Sequence, residues 1–219
     1  GTTTFGAGTV LNGDGKVDLA GGHTLDIGTG FTHATNTVDL HFGGTVTVIG
    51  TGTFTNTGTL SLESTDDTFN VAVTNDTGGS LVVDSWANNS LQTFNGGLTN
   101  NGTLALDSDA YATQVNIGTG QTLTNTGTIV TTGGVGGTNT ISGAVTNTGI
   151  IDASIGDILI TNADGGLDTS GGTLAVAAGR TLTVSGGTTT FGTGTVLSGD
   201  GKIDLTGVHT LDIGEGYTH

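Results

Sequence analysis

Residues 99–104 read TNNGTL, and close copies of this hexapeptide recur along the chain. The copies are TNTGTL at 55–60, TNTGTI at 124–129 and TNTGII at 146–151, with a looser relative, TNDTGGSL, at 74–81. Their asparagines, Asn56, Asn100, Asn125 and Asn147, are 44, 25 and 22 residues apart, and 44 is two steps of 22. A period of about 20–50 residues is typical of solenoids, in which each repeat stacks on the next.

The segments between these phrases predict strands. They alternate a small residue with an aliphatic one over 4–6 positions and are bounded by Gly or Asn, as at 45–49, 59–62, 103–106, 173–176 and 181–184. Alternation of this kind is the pattern of a half-buried strand. No window of ten residues shows the 3.6-residue period of a helix. We therefore predict an all-β coil of about 20–25 residues per turn, without α-helix.

The composition fits sharp bends between short strands. The chain has 43 Gly and no Pro, because Gly accepts positive φ at corners and Pro would remove an N–H needed between coils. Asn at the same position of consecutive coils can form a side-chain amide ladder. We expect the four asparagines to lie at equivalent turn positions, each followed by an inward aliphatic residue: Leu60, Leu104, Ile129 and Ile151.

The net charge of the chain limits the classes of binding partner that can be expected. The chain has 19 acidic residues and only three basic ones, Lys16, Arg180 and Lys202, so its net charge is −16. Nucleic acid and anionic membrane surfaces are therefore not expected partners, and cations are the natural counter-charges. No apolar run approaches the roughly 20 residues that span a bilayer, so we expect no membrane insertion of this segment.

A longer repeat contains the short one. Residues 1–33 return at 187–219, with 26 of 33 positions identical at an offset of 186. We predict that 1–186 form one tandem-repeat unit of a continuous solenoid and that 187–219 begin the next unit. One unit should hold eight or nine coils and advance about 40 Å, at about 4.8 Å per coil. The two copies should share one backbone conformation, displaced along the axis.

The phrases TNTGTL, TNNGTL and TNTGTI, with GTVLNGDGKVDL and GTVLSGDGKIDL, resemble the β-strand-repeat surface proteins of bacteria, which include filamentous-haemagglutinin-like exoproteins and autotransporter passenger domains. The similarity covers nearly the whole chain, although a near-exact repeat is more regular than in most passenger domains. It implies a right-handed parallel β-helix in an extracellular stalk or filament on the bacterial cell surface, without enzymatic activity. The implied partners are neighbouring repeat units stacked end to end, and glycans or other cells.

One motif suggests a cofactor. The stretch NGDGKVD at 12–18 is similar to the centre of an EF-hand calcium loop, but that alignment puts Val10 and Gly21 where the first and twelfth ligands belong. A loosely held Ca²⁺ on Asp14, with a carboxylate from a neighbouring coil, is the remaining possibility. The weak calcium candidates are Asp14, Asp18, Asp200 and Asp204.

Parts of the sequence would also suit two other functions. Paired acids, Asp66 with Asp67 and Asp107 with Asp109, and the aromatic side chains of Trp86 and Tyr111 would suit a carbohydrate-binding or carbohydrate-cleaving β-helix, as on a tail fibre or a secreted glycosidase. With only three basic residues, no catalytic residue is predicted. Dense Thr-x-Thr, as at 122–124 and 181–183, would suit an ice-binding solenoid if one such pair lay in register on every coil.

The remaining side chains are expected to be structural. His23, His33 and His41 match no metal-ligand spacing and are predicted at coil corners. The phenylalanines are predicted to stack in the core: Phe5, Phe54, Phe69, Phe94 and Phe191.

Overall fold

The structure, a computed structural model, describes residues 1–34, 38–63, 66–85, 87–133, 137–161 and 165–217. Parallel strands stack as a β-solenoid of about 9 turns, and the described residues contain no helix. The predicted fold class is therefore confirmed. No helix that could cross a membrane is found in the described part of the chain.

Each turn of the solenoid contributes to three faces, here called A, B and C. Face A holds β1 (Thr2–Thr4), β3 (His23–Asp26), β6 (Val46–Ile49), β9 (Thr68–Phe69), β12 (Ser90–Phe94), β15 (Thr113–Ile117), β18 (Asn139–Ser142) and β21 (Ile158–Thr161). Face B holds β4 (Phe31–His33), β7 (Phe54–Asn56), β10 (Val73–Asn75), β13 (Leu98–Asn100), β16 (Thr122–Asn125), β19 (Ala144–Asn147) and β22 (Gly166–Asp168). Two long strands, β24 (Thr181–Phe191) and β26 (Lys202–Ile213), turn the corner from face A to face B.

Face C is a separate 9-stranded sheet. Its strands are β2 (Lys16–Asp18), β5 (Asp39–Phe42), β8 (Thr59–Glu63), β11 (Ser80–Asp84), β14 (Thr103–Asp107), β17 (Thr128–Thr131), β20 (Ile150–Ala153), β23 (Thr173–Val176) and β25 (Val196–Ser198).

The length of a turn can be read from the residues that pair across coils. On face A, Thr2 pairs with Thr24, and the same column continues coil by coil to Ser185. Eight steps separate Thr2 from Ser185 along this column, which agrees with the predicted number of coils. The longest turn on this column runs from Asn116 to Ser142, and the shortest runs from Ser142 to Thr161.

The core is a column of inward side chains that runs the length of the solenoid. Leu60, Leu104, Ile129 and Ile151 are each 0% exposed, as predicted. The phenylalanine stack is also confirmed: the ring centroids of Phe69 and Phe94 lie 4.9 Å apart. Each inward side chain is buried only when the next coil packs on it, so the apolar core forms only as the coils stack.

The Gly of each Asn-x-Gly phrase is explained by close backbone approach. A Cβ on Gly102, Gly127 or Gly149 would collide with the carbonyl oxygen of the equivalent residue one coil before, which is Gly79, Gly102 or Gly127. These positions need Gly because the corner between faces B and C leaves no room for a side chain.

One expectation about the long repeat is wrong. Thr2–Thr4 lie on face A, whereas the equivalent residues Thr188–Thr190 lie on face B. Lys16–Asp18 lie on face C, whereas Lys202–Asp204 lie on face A. The two copies are therefore displaced along the axis and also moved round the coil by one face.

Candidate functional site

A buried ladder of asparagine side chains runs along the corner between faces B and C. Asn56 Nδ2 donates to Asn75 Oδ1 at 2.8 Å, and the same contact joins Asn75 to Asn100, Asn100 to Asn125 and Asn125 to Asn147 at 2.7 Å each. All five residues are 0% exposed. The four asparagines pair in register on successive coils through Asn75, which comes from the looser phrase and occupies the missing step.

The second hydrogen of each amide fastens the following corner. Asn100 Nδ2 also donates to Thr128 O at 3.0 Å, and Asn125 Nδ2 donates to Ile150 O at 3.1 Å. These carbonyls begin the face C strands of the next coil. Every rung thus satisfies a buried amide and fixes where the next strand starts, which matters because an unpaired buried amide is costly.

Both ends of the ladder are closed by other side chains. At one end Asn147 Nδ2 donates to Thr169 Oγ1 at 3.1 Å. At the other, His33 is 1% exposed, with Nδ1 2.8 Å from Asn56 Oδ1 and Nε2 2.7 Å from Val38 O. Both contacts are made to oxygen atoms, so His33 closes the ladder at this end.

A second histidine lies between two carboxylates on face C. His41 is 4% exposed, and its Nδ1 lies 2.9 Å from Asp18 Oδ1. Its Nε2 lies 2.6 Å from Glu63 Oε1, at an angle that does not form a hydrogen bond. The hydrogen bond with His41 is the main reason that the pKa of Asp18 lies below its usual range. His41 lies within a strand, so the prediction of a corner position is wrong for this residue. His33 is the last residue of β4 and pairs in register with Asn56, so it lies at the same corner as the asparagine ladder.

The calcium candidates are dispersed rather than grouped. Asp14 and Asp200 are exposed, Asp18 contacts His41, and Asp204 Oδ2 lies 2.8 Å from Lys202 Nζ. Among the residues that the structure describes, no three His, Asp or Glu side chains are arranged to hold a metal ion. Calcium binding at these positions therefore stays a prediction.

The acidic pair at 66–67 is engaged in strand contacts. Asp66 Oδ1 accepts from the Leu91 N–H at 2.9 Å, and Asp67 Oδ1 accepts from the Val46 N–H at 2.7 Å. Asp67 is 0% exposed. Burial raises its pKa to about 8; the nearby charge of Asp66 acts in the same direction, against hydrogen bonds with Val46 and Gln92. A carboxyl so enclosed is not placed to contact a bound sugar.

We expect Asp67→Asn to stabilise the protein at neutral and alkaline pH. Between 3.8, the ordinary pKa, and about 8, the folded state holds a proton that the unfolded state has lost. Stability from this group is therefore complete below 3.8, decreases by about 1.4 kcal/mol for each pH unit above it, and stops decreasing above 8. Asn keeps an oxygen that can accept from the Val46 N–H, and its side chain does not titrate in this pH range.

Urea unfolding of both proteins from pH 4 to pH 9 would measure this effect. The difference in stability between Asp67→Asn and the unchanged chain should grow with pH and level off above pH 8. The exposed neighbour Asp66→Asn is the matched control and should show no such growth. A difference that does not depend on pH would show that Asp67 titrates as an ordinary carboxyl.

A column of acids marks one edge of face C. Glu63, Asp84 and Asp107 are register partners on consecutive coils. Like charges directly opposite each other repel. Burial raises the pKa of Asp107, and the charge of Asp109 adds to the effect. The column concentrates negative charge on this face, in keeping with the expectation of cationic counter-charges.

A column of hydroxyls lies on face B. We call Thr32, Thr55, Thr74, Thr99, Thr124 and Thr146 the threonine column, because they pair in register on consecutive coils. The second threonine that ice binding would require is not kept, since Thr122 pairs with Ala144. Tyr111 is 43% exposed, and Trp86 lies outside the described residues.

Comparison with known proteins gives no match: no family model, no curated protein and no solved structure matches the chain. The family resemblance seen in the repeat phrases therefore stays a prediction.

Sequence reasoning missed the three buried titratable groups among the described residues: His33, His41 and Asp67. The available signal was positional. His33 lies 23 residues before Asn56, and His41 lies 23 residues after Asp18, which is one coil in each case. No comparable signal marked Asp67, because its burial depends on how the chain enters face A.

Proposed function

We propose that this chain is a structural, non-enzymatic segment of a long extracellular filament on a bacterial cell surface, acting as a stiff stalk for attachment or cell–cell contact. The observation that carries the proposal is the unbroken combination of apolar core and asparagine ladder along successive coils. Such a solenoid gains length by adding coils and resists bending because every coil is fastened to its neighbours.

The end of the solenoid formed by β26 supports stacking of further coils. Leu211 and Ile213 are 44% and 58% exposed, and an apolar hollow of about 620 Å³ opens beside them, lined in part by Phe191 and Tyr217. In the described residues β26 pairs in register with β24. A coil with the same inward pattern could pair with this strand edge and cover these side chains.

The structure contains an example of the covering coil. Residues 16–26 match 202–212 closely in sequence, and they are covered by β5 and β6. In that contact Lys16 lies opposite Asp39, and Asp18 contacts His41. Lys202 and Asp204 offer the same two charges on the open edge. A following unit with the same sequence therefore has a complementary surface to stack on.

We expect a lengthened chain to grow only along its axis. A copy of residues 34–219 joined after His219 continues the repeat, because 1–33 and 187–219 match. Eight further coils at about 4.8 Å each should add about 40 Å of length, with the cross-section unchanged. Small-angle X-ray scattering of the two chains gives both quantities.

The control is a lengthened chain in which the added copies of Leu40 and Val48 are replaced by Asp. Its added part should fail to stack, because both side chains are 0% exposed in the core. If the unmodified lengthened chain instead gains cross-section, the units pack side by side and the stalk proposal is wrong.

A further inference from the structure

The two copies lie one face apart because the repeat is slightly longer than a whole number of turns. Eight turns on face A lead from Thr2 to Ser185, whereas the repeat leads from Thr2 to Thr188, three residues further. Those residues include Gly186 and Gly187, at φ 74° and 75°, where β24 turns the corner from face A to face B. A positive φ of this kind favours glycine, so the corner is set by the sequence itself.

The local contacts of the repeated segment are the same in both places. Thr2 pairs with Thr24, and Thr188 pairs with Thr210. The hydroxyl of Thr3 lies 2.8 Å from His23 Nε2, and the equivalent hydroxyl of Thr189 lies 3.0 Å from His209 Nε2. The segment therefore keeps its own pairing and differs in the face on which it lies.

We propose that successive repeat units are rotated about the solenoid axis by one face, so that equivalent surfaces point in three directions and return to the same side at every third unit. This inference rests on the proposed tandem stacking. It follows because each unit contains eight turns and one further corner, and the solenoid has three faces.

The rotation decides how surface features are displayed. The threonine column of one unit would lie on face B, and the columns of the next two units would lie on the other two faces. A partner that lies flat along one side would meet the same column only at every third unit, about 120 Å apart at about 4.8 Å per coil. A multivalent or flexible partner could engage every unit, from different sides.

Cysteine pairs test the rotation in the chain as it is, which has no Cys of its own. In the rotated arrangement Thr183 and Asp204 are register partners on face A. If 187–219 instead occupied the faces of 1–33, Asp204 would lie on face C, next to Ala175. The two variants are Thr183→Cys with Asp204→Cys, and Ala175→Cys with Asp204→Cys.

Under mild oxidation we expect the 183–204 pair to form its disulfide at least about tenfold faster than the 175–204 pair, because Cα atoms more than about 7 Å apart cannot be bridged. The pair Ala175→Cys with Ser198→Cys, register partners on face C, is the positive control for oxidation. Faster bridging of 175–204, or no bridging of 183–204 while the control forms, would overturn the inference. Neither result concerns whether units stack, which the lengthened chain tests separately.

Discussion

Ile151→Asp should unfold the coil that contains it, while Ile150→Asp should leave the protein folded. The two residues are neighbours on β20, but Ile151 is 0% exposed and Ile150 is 41% exposed. An unpaired charge in the inward column, together with lost packing, should lower the free energy of unfolding by about 4–5 kcal/mol or more. An outward charge on face C should change it by less than about 1 kcal/mol.

Urea unfolding, monitored by circular dichroism, would compare the free energies of unfolding of the two variants. Leu104→Asp, also at 0% exposure on face C, should behave like Ile151→Asp. Equal stability of the two isoleucine variants would mean that the inward and outward positions on β20 are wrongly assigned, and with them the register of the neighbouring coils.

Asn100→Asp should break the asparagine ladder at its middle rung. The substitution keeps the shape but replaces the Nδ2 that donates to Asn125 Oδ1 and Thr128 O with an acceptor oxygen. Each buried acceptor left without a donor costs about 1–3 kcal/mol, so a loss of about 3–5 kcal/mol is expected. The loss should shrink at low pH, where the introduced acid is protonated and can donate again.

The neighbouring Asn101→Asp is the matched control. Asn101 is partly exposed, and its Oδ1 accepts from Thr126 Oγ1 at 2.7 Å, a contact that Asp keeps. Asp loses only the long contact in which Asn101 Nδ2 donates to Asp76 Oδ1 at 3.5 Å. Its effect should stay below about 1 kcal/mol. If both variants were equally stable, the buried amides would not fasten the coils, and the stiffness argument for a stalk would lose its main support.

Sequence patterns predicted the solenoid well because each coil repeats the same local requirements. An inward aliphatic residue such as Leu104 requires that inward and outward side chains alternate along the strand. Gly102 is required because its backbone lies against the backbone of the preceding coil. The amide of Asn100 must find its partner on the next coil. These requirements act between residues about one coil apart, so they leave a periodic trace in the sequence.

Buried titratable groups were harder to predict than the asparagine ladder, because they depend on contacts that do not repeat. His41 lies between Asp18 and Glu63 on three successive coils, and this combination occurs on no other coil in the part of the chain that the structure describes. Asp67 is buried where the chain enters face A to accept from Val46. In both cases the composition of one neighbouring coil decides the environment, and periodicity carries no information about it.

By itself, the sequence determined that the chain is a stack of short parallel strands with an aliphatic core, glycine corners and a row of equivalent asparagines. Only the tertiary structure decided on which face each strand lies. The repeated strand segments show this, since Thr2–Thr4 lie on face A and the equivalent Thr188–Thr190 lie on face B. The physical reason is that local pairing depends on the coil next to it, whereas the face depends on the summed lengths of all the coils before it.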